Sequence, residues 1–385
     1  MFPTESVARR LDELLQVGDP AAERFYTEVY HGPIGRERGT ELLDRALARG
    51  IDSVPDAPDS MRALFEEFES LPAWLDRTQL ERGAATWRRW AYDFSAMANA
   101  GTMDMYTEAW LALPLSLSGG YSGDTALNRF LETTRWWIEC ARESAIVTPG
   151  SVARTITMKV RIMHVAVRRG VSSHPSWDQG RWGTPISQSQ QLLTLMAGSV
   201  IVSLSMYALG YITTHQEMLA VLHFCRYLGH LLGLQPCSDV WPTTVADALR
   251  VVSHFEANRV YDGGAEAVEL VESFVPSFSP ATSATVPDRI RGMYHLTIQG
   301  GFTRYFMLPW NRKKYRLPRA AVGTVFLVLR SPFITTVEIF RHASPAIDRF
   351  WQRHRMAAWE RWLNWQAGGA HQQYHAPNHL AGDRG

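Results

Sequence analysis

Lys159-Val-Arg161-Ile-Met-His164-Val-Ala-Val-Arg168-Arg169 is the stretch on which the reading of this chain turns. Placed on a helix at about 100° per residue, Arg161, His164 and Arg168 fall in one narrow sector, with Thr157 on the same side. Val160, Met163 and Val167 form an apolar stripe beside them, while Lys159, Ala166 and Arg169 point elsewhere. One histidine thus stands at the seam between an oily stripe and two arginines. Such a face suits a flat apolar ligand with an anionic edge, and a haem fits: macrocycle on the oil, iron on the imidazole, propionates on the guanidinium groups. The competing reading is a hydrogen-bonded core histidine flanked by surface charges at i−3 and i+4.

Outward from this helix the pattern stays helical. Ser151 or Pro149 starts it and Gly170 stops it. Upstream, the periodicity predicts helices over Val7–Leu15, Pro20–Tyr30, Glu41–Arg49, Met61–Ser70, Leu80–Met97, Met103–Leu113 and Thr125–Ser144. Downstream, it predicts helices over Val245–Glu256, Ala265–Phe274, Arg289–Thr297, Phe302–Pro309 and Pro345–Gln366, the last capped by Ser344 and rich in tryptophan. Val325–Arg330 is apolar and β-branched, and ambiguous by itself. Strand signals are weak throughout. Leu192–Ile212 carries no charged residue and is long enough to span a bilayer. Its Thr, Ser and Gly content and the lack of close basic flanks favour a buried helix at the centre of a large α-domain.

The chain has 385 residues, 46% of them hydrophobic and 20% charged, with fourteen tryptophans. No linker, charge block or repeat divides it, so the expectation is an all-α fold: one large helical domain over 1–370, its catalytic core at about 71–240, and a flexible tail over 371–385. A formal net charge of +1 supplies no long-range field toward nucleic acid. The basic run Arg312-Lys-Lys-Tyr-Arg316, followed by Arg319, reads as a solvated loop, with anionic lipid contact as the second reading. Three cysteines without a C-x-x-C pair argue against a disulfide framework or a zinc knuckle, and without C-x-x-C-H a bound haem would be non-covalent. The N-terminus shows no basic segment followed by an apolar one, which suggests a cytoplasmic protein.

Two more clusters join the His164 helix. Arg129, Glu132 and Thr133 share a helix face at i, i+3 and i+4. Gly183-Thr-Pro-Ile-Ser-Gln188 leads into the apolar helix and places Thr194 about two turns in. The order is therefore Arg-x-x-Glu-Thr, then Arg-x-x-His-x-x-x-Arg, then Pro-Ile-Ser-Gln followed by a threonine. This order resembles the latex-clearing proteins (rubber oxygenases) and the related MpaB-type oxygenases, over approximately Leu71 to Gly233. Leu71-Pro-Ala-Trp-Leu-Asp76 adds to the likeness.

The resemblance implies an all-α domain with a globin-like core around one haem b. It makes His164 the proximal iron ligand, with Arg161 and Arg168 in its surroundings. It places Arg129, Thr133 and Thr194 near the distal pocket, and Glu108 in the region of a further catalytic acid. The chain departs from the family at one position: latex-clearing proteins carry a lysine in the distal Arg-x-x-Lys-Thr run, where Glu132 stands here. A carboxylate can act as a base or hold a water but lacks the chemistry of an amine. The function so implied is a haem-dependent oxygenase that uses O₂ on a C=C bond of a hydrophobic, isoprenoid or lipid-like molecule, with no nucleic acid partner, no membrane span, and room for peripheral membrane contact. The alternatives are a haem or lipid carrier without turnover and a cofactor-free helical interaction protein.

Overall fold

The computed structural model describes residues 2–118, 124–279 and 284–368. Among these it contains helices and no strand. An N-terminal layer holds α1 (Glu5–Leu14), α2 (Pro20–Phe25), α3 (Arg36–Arg49) and α4 (Asp59–Glu69). The central bundle comprises α5 (Arg77–Trp90), α6 (Tyr92–Met105), α7 (Ala109–Leu117), α8 (Asp124–Ala141), α9 (Val152–Ser172), the single turn α10 (Gln179–Trp182), α11 (Gln188–Met196), α12 (Val202–Ser205) and α13 (His215–Leu231). The rest is α14 (Val245–Ala257), α15 (Gly264–Phe274), α16 (Val286–Phe306), the short α17 (Pro309–Arg312), α18 (Ala321–Ala343) and α19 (Pro345–Gln366). The main hydrophobic core is continuous from Leu11 to Leu363. The tail over 371–385 lies outside the described residues.

Local chemistry explains most boundaries. Side chains of Asp19, Asp76, Ser151, Ser187, Thr214 and Ser344 accept from backbone N–H groups at helix starts, meeting donors that the helix itself leaves unpaired. Ser187 and Gln190 form a reciprocal capping box on α11, as Thr214 and Glu217 do on α13. Gly83 lets α5 lie against α13, because a Cβ there would sit 2.4 Å from the Ala220 carbonyl oxygen.

Four elements differ from the sequence expectation. The helix expected over Met103–Leu113 is divided, since α6 ends at Met105 and α7 starts at Ala109. The helix expected over Leu80–Met97 breaks at Ala91, whose φ is +46°. Arg355 of α19 donates to the carbonyls of Arg89 (3.1 Å) and Trp90 (2.7 Å), so the carbonyls freed by the break find a distant partner. The helices expected over Arg289–Thr297 and Phe302–Pro309 are one, α16, since Gly300 and Gly301 sit inside it against α18 instead of ending it. The ambiguous stretch Val325–Arg330 lies within α18, a 23-residue helix.

The uncharged stretch forms one helical run through α11, a π-turn at Ala197–Ile201, α12 and a 3-10 turn at Met206–Leu209. It ends at Gly210, whose φ is +91°. Most of this run is packed inside the protein. Both it and α18 are long and apolar enough to cross a bilayer, but α18 is largely exposed.

Arginines at seven-residue spacing organise α9. Arg154, Arg161 and Arg168 recur on one stripe, and all three are buried. Arg154 reaches Glu69 at 2.8 Å and the Phe68 carbonyl at 2.9 Å. Arg161 binds Asp19 through two hydrogen bonds of 2.6 and 2.9 Å, and also Glu67. Arg168 binds Glu23 at 2.9 Å. The stripe clamps α2 and α4 to the bundle. Asp19 serves twice, since its Oδ1 also caps α2.

Candidate active site

His164 sits on α9 beside the arginine stripe and is half-buried. Burial, followed by the charge of Arg168, lowers its pKa to about 4, so the ring is neutral at pH 7. Its Nδ1 lies 3.2 Å from Gln191 Oε1. The Gln191 amide is oriented in turn, because its Nε2 donates to the Ile186 carbonyl at 3.2 Å. The oxygen facing the imidazole can only accept, so Nδ1 carries the hydrogen and Nε2 keeps its lone pair. Among the described residues no group hydrogen-bonds to Nε2. This is how a histidine is held ready to ligate: one nitrogen fixed by an outer partner and the other open.

The partner chain extends further. Ile186 has a φ of +52°, a costly conformation for a β-branched residue. It is held there by Arg168, which donates to the Pro185 carbonyl at 3.1 Å and the Ile186 carbonyl at 2.8 Å. The same segment is tied to the N-terminal layer. Thr184 and Gln188 donate backbone N–H groups to the carbonyls of Leu15 and Val17, both at 2.8 Å. Gln188 Nε2 also donates to the Gly18 and Gly233 carbonyls at 2.7 and 2.9 Å. Arg168 therefore braces the turn, the turn aims Gln191, and Gln191 aims His164.

The other expected residues are placed as follows. Arg129 Nη1 and Glu132 Oε2 form an ion pair at 3.0 Å, both largely but not fully buried. Thr133 donates to the Arg129 carbonyl at 3.0 Å, and Thr194 to the Gln190 carbonyl at 2.9 Å, the backbone bonds usual for helix threonines. Thr194 is nevertheless exposed between Leu193 and Leu195, which are buried. One turn on, at the π-turn, a Cβ on Gly198 would meet nothing within 4 Å, and the same holds for Gly101 on α6. α6 packs against this π-turn and α12, and α9 against α7 and α8. Thr157 is buried, accepting from Trp136 Nε1 at 2.8 Å.

Arg161 and Arg168, expected beside a ligand's anionic edge, are engaged instead by Asp19, Glu67, Glu23 and two backbone carbonyls. Glu108 is also engaged, accepting from the backbone N–H groups of Val260 (2.9 Å) and Tyr261 (3.1 Å) and from Arg259 Nε (3.3 Å); it holds the chain ahead of α15. The residue that sequence reading missed is Gln191. The signal was present: with Ser187 as cap, Gln191 and Thr194 lie at i and i+3 on one face of α11.

The donor set is a single imidazole. Among the described residues no three His, Cys, Asp or Glu side chains gather as a metal site. One neutral histidine with an open Nε2 fits the axial position of a macrocycle that brings its own equatorial donors, and the open space at Gly101 and Gly198 leaves room beside the helices.

Residues 87–333 match the family described as ER-bound oxygenase mpaB/B'/Rubber oxygenase, catalytic domain. The chain belongs to this family. A rubber oxygenase from Streptomyces sp. (strain K30) is 27% identical over 215 residues, which are 54% of this chain and 49% of that protein. The chain thus matches about half the length of this curated relative. Among solved structures, a latex clearing protein in the closed state aligns with a TM-score of 0.64 at 20% identity, covering 90% of each chain. That likeness shows the same all-helical fold.

Proposed function

We propose that this protein is a haem b-dependent oxygenase acting with O₂ on a C=C bond of a hydrophobic, isoprenoid-like molecule. The observation that carries the reading is His164: neutral, with Nδ1 committed to Gln191 and Nε2 open, inside a family of oxygenase catalytic domains. A bound haem would supply the iron and the oxidation chemistry.

The chain's own residues have separable tasks. His164 Nε2 would hold the iron of a bound haem, and Gln191 would raise its donor strength by accepting the Nδ1 hydrogen. Arg168 and Arg161 act from behind, holding α9 and the turn at Ile186 in register through Asp19, Glu67, Glu23 and the carbonyls of Pro185 and Ile186. Glu132 and Arg129 stand as the acid–base pair of the distal side. In this reading the Glu132 carboxylate would take a proton or hold a water while Arg129 orients it. In this reading Thr133 and Thr194 would add hydroxyl groups to the substrate side.

The visible absorption spectrum of the purified protein, before and after dithionite and carbon monoxide, tests the cofactor. A Soret band that shifts with carbon monoxide is expected, and His164→Ala is expected to lose it. A protein that stays colourless with added haem would overturn the reading. O₂ consumption with a short polyisoprene then tests the reaction. Haem binding without O₂ uptake on any olefin would identify a carrier instead.

A further inference from the structure

Helix α18 is inverted relative to an ordinary surface helix. Its three charged residues before the last turn's end, Arg330, Glu338 and Arg341, face inward: Arg330 pairs with Asp93 at 2.7 Å, Arg341 with Glu338 at 2.7 Å and with Glu217 at 2.8 Å. The opposite side carries Val322, Val325, Leu329, Phe333, Ile339 and Phe340, all well exposed, with Val322 and Leu329 at 74% and 73%. Between Arg319 and Arg349 no Asp, Glu, Lys or Arg is exposed. With about 1.5 Å of rise per residue, the 23 residues of α18 make an apolar ridge roughly 34 Å long. Its attachment is close: a Cβ on Gly301 of α16 would lie 2.6 Å from the carbonyl carbon of Gly323. A continuous exposed apolar surface of this kind marks an interaction site.

Among the described residues nothing covers the ridge. Residues 369–385 contain Tyr374 and Leu380 as their only large apolar side chains. The charges around the ridge choose among outside partners. At its N-terminal end Lys313, Lys314, Arg316 and Arg319 are exposed, with Trp310 alongside. There a groove of about 290 Å³ is lined by Arg304, Tyr305, Arg312, Ala321, Thr324 and Val325. At the C-terminal end His342, Arg349 and Arg353 are exposed. Both ends are basic, so a second copy, whether parallel or antiparallel, would bring like charges together. An anionic bilayer surface complements both ends and takes up the apolar face between them.

We propose that the α18 face, rimmed by the basic segment 312–319, is a docking surface for an anionic lipid bilayer, with α18 lying along the interface. The proposal is independent of the oxygenase reading, because it uses neither His164 nor any distal residue.

Co-sedimentation of the full-length protein with phosphatidylcholine vesicles, with and without phosphatidylglycerol, tests it. Binding to the phosphatidylglycerol vesicles is expected, weakening as salt is raised. Lys313→Gln/Lys314→Gln is expected to weaken that binding about thirty-fold, and Leu329→Glu/Phe333→Glu at least about ten-fold. All four side chains lie outside the core, and an unchanged thermal transition verifies folding of each variant. Absence of binding to phosphatidylglycerol vesicles would overturn the proposal. So would binding that the Leu329→Glu/Phe333→Glu variant retains. A concentration-dependent dimer in sedimentation, lost in that variant and unaffected by vesicles, would assign the ridge to a second copy.

Discussion

Helices α9 and α18 both turn arginines inward, and they do opposite things with the faces left over. On α9, three buried arginines are spent on acids and carbonyls of the N-terminal layer and of the turn at Ile186, and the adjoining sector aims a histidine into the protein. On α18, Arg330 and Arg341 are spent on Asp93 and Glu217, Glu338 is spent on Arg341, and the remaining sector is hydrocarbon in solvent. Charge in a helix pattern therefore does not mark the solvent side. A buried guanidinium is stable when carboxylates and carbonyls fill its donor positions, and only tertiary structure shows whether they do.

The clamp on α9 gives the largest expected effect. Arg161→Met strands Asp19, a carboxylate only 3% exposed, and leaves Glu67 without this partner. A loss of about 3–5 kcal/mol is expected in a denaturant titration, as for one half of a buried pair. An Arg161→Met protein as stable as the parent but poor in haem would reverse the assignment and make this arginine a ligand contact. The next effect concerns the outer partner. Gln191→Leu preserves bulk but removes the acceptor for Nδ1, so haem affinity is expected to fall about 10–100-fold, with a shifted Soret band and a stability close to the parent's.

These two variants also show what sequence could and could not disclose. Arg161, His164 and Arg168 were legible as one sector because helical periodicity alone sets it. Their division of labour was not, because Asp19 and Glu23 lie more than 140 positions away in sequence. Gln191 was hidden for a similar reason: its role depends on a carbonyl presented by a left-handed Ile186, a conformation that sequence does not announce for a β-branched residue. The all-α class was legible from end to end. The break at Ala91 was not, because it is sustained by Arg355 from α19. The outward face of α18 was missed because the six-residue stretch Val325–Arg330 was read without Asp93 and Glu217, the distant partners that draw Arg330 and Arg341 inward.

The third effect is a pH dependence. Folding lowers the pKa of His164 to about 4 from an ordinary value of 6.5. Below pH 6.5 the unfolded chain therefore takes up a proton that the folded chain refuses. Stability falls as pH drops from 6.5 toward 4 and levels off below that. In haem-free protein, His164→Gln is expected to remove part of this slope, on the order of 1 kcal/mol across the window. Parallel curves for the two proteins would mean that the ring is already solvated and its pKa near normal.

The smallest expected effect falls on α18. Leu329→Gln replaces a side chain that is 73% exposed and has little apolar contact to lose, so stability is expected to stay within about 0.5 kcal/mol of the parent. The same kind of change on the α9 side, at Val165, which is fully buried, would bury an unpaired amide and cost several-fold more. If Leu329→Gln instead destabilised the protein by more than about 2 kcal/mol, the amount expected of a buried leucine, then α18 would already be covered in the isolated protein. The ridge would then be part of the folded protein's own packing, with no face left for a partner. A neutral result leaves a leucine whose side chain contributes little to folding, and its exposure is then explained by what the ridge binds.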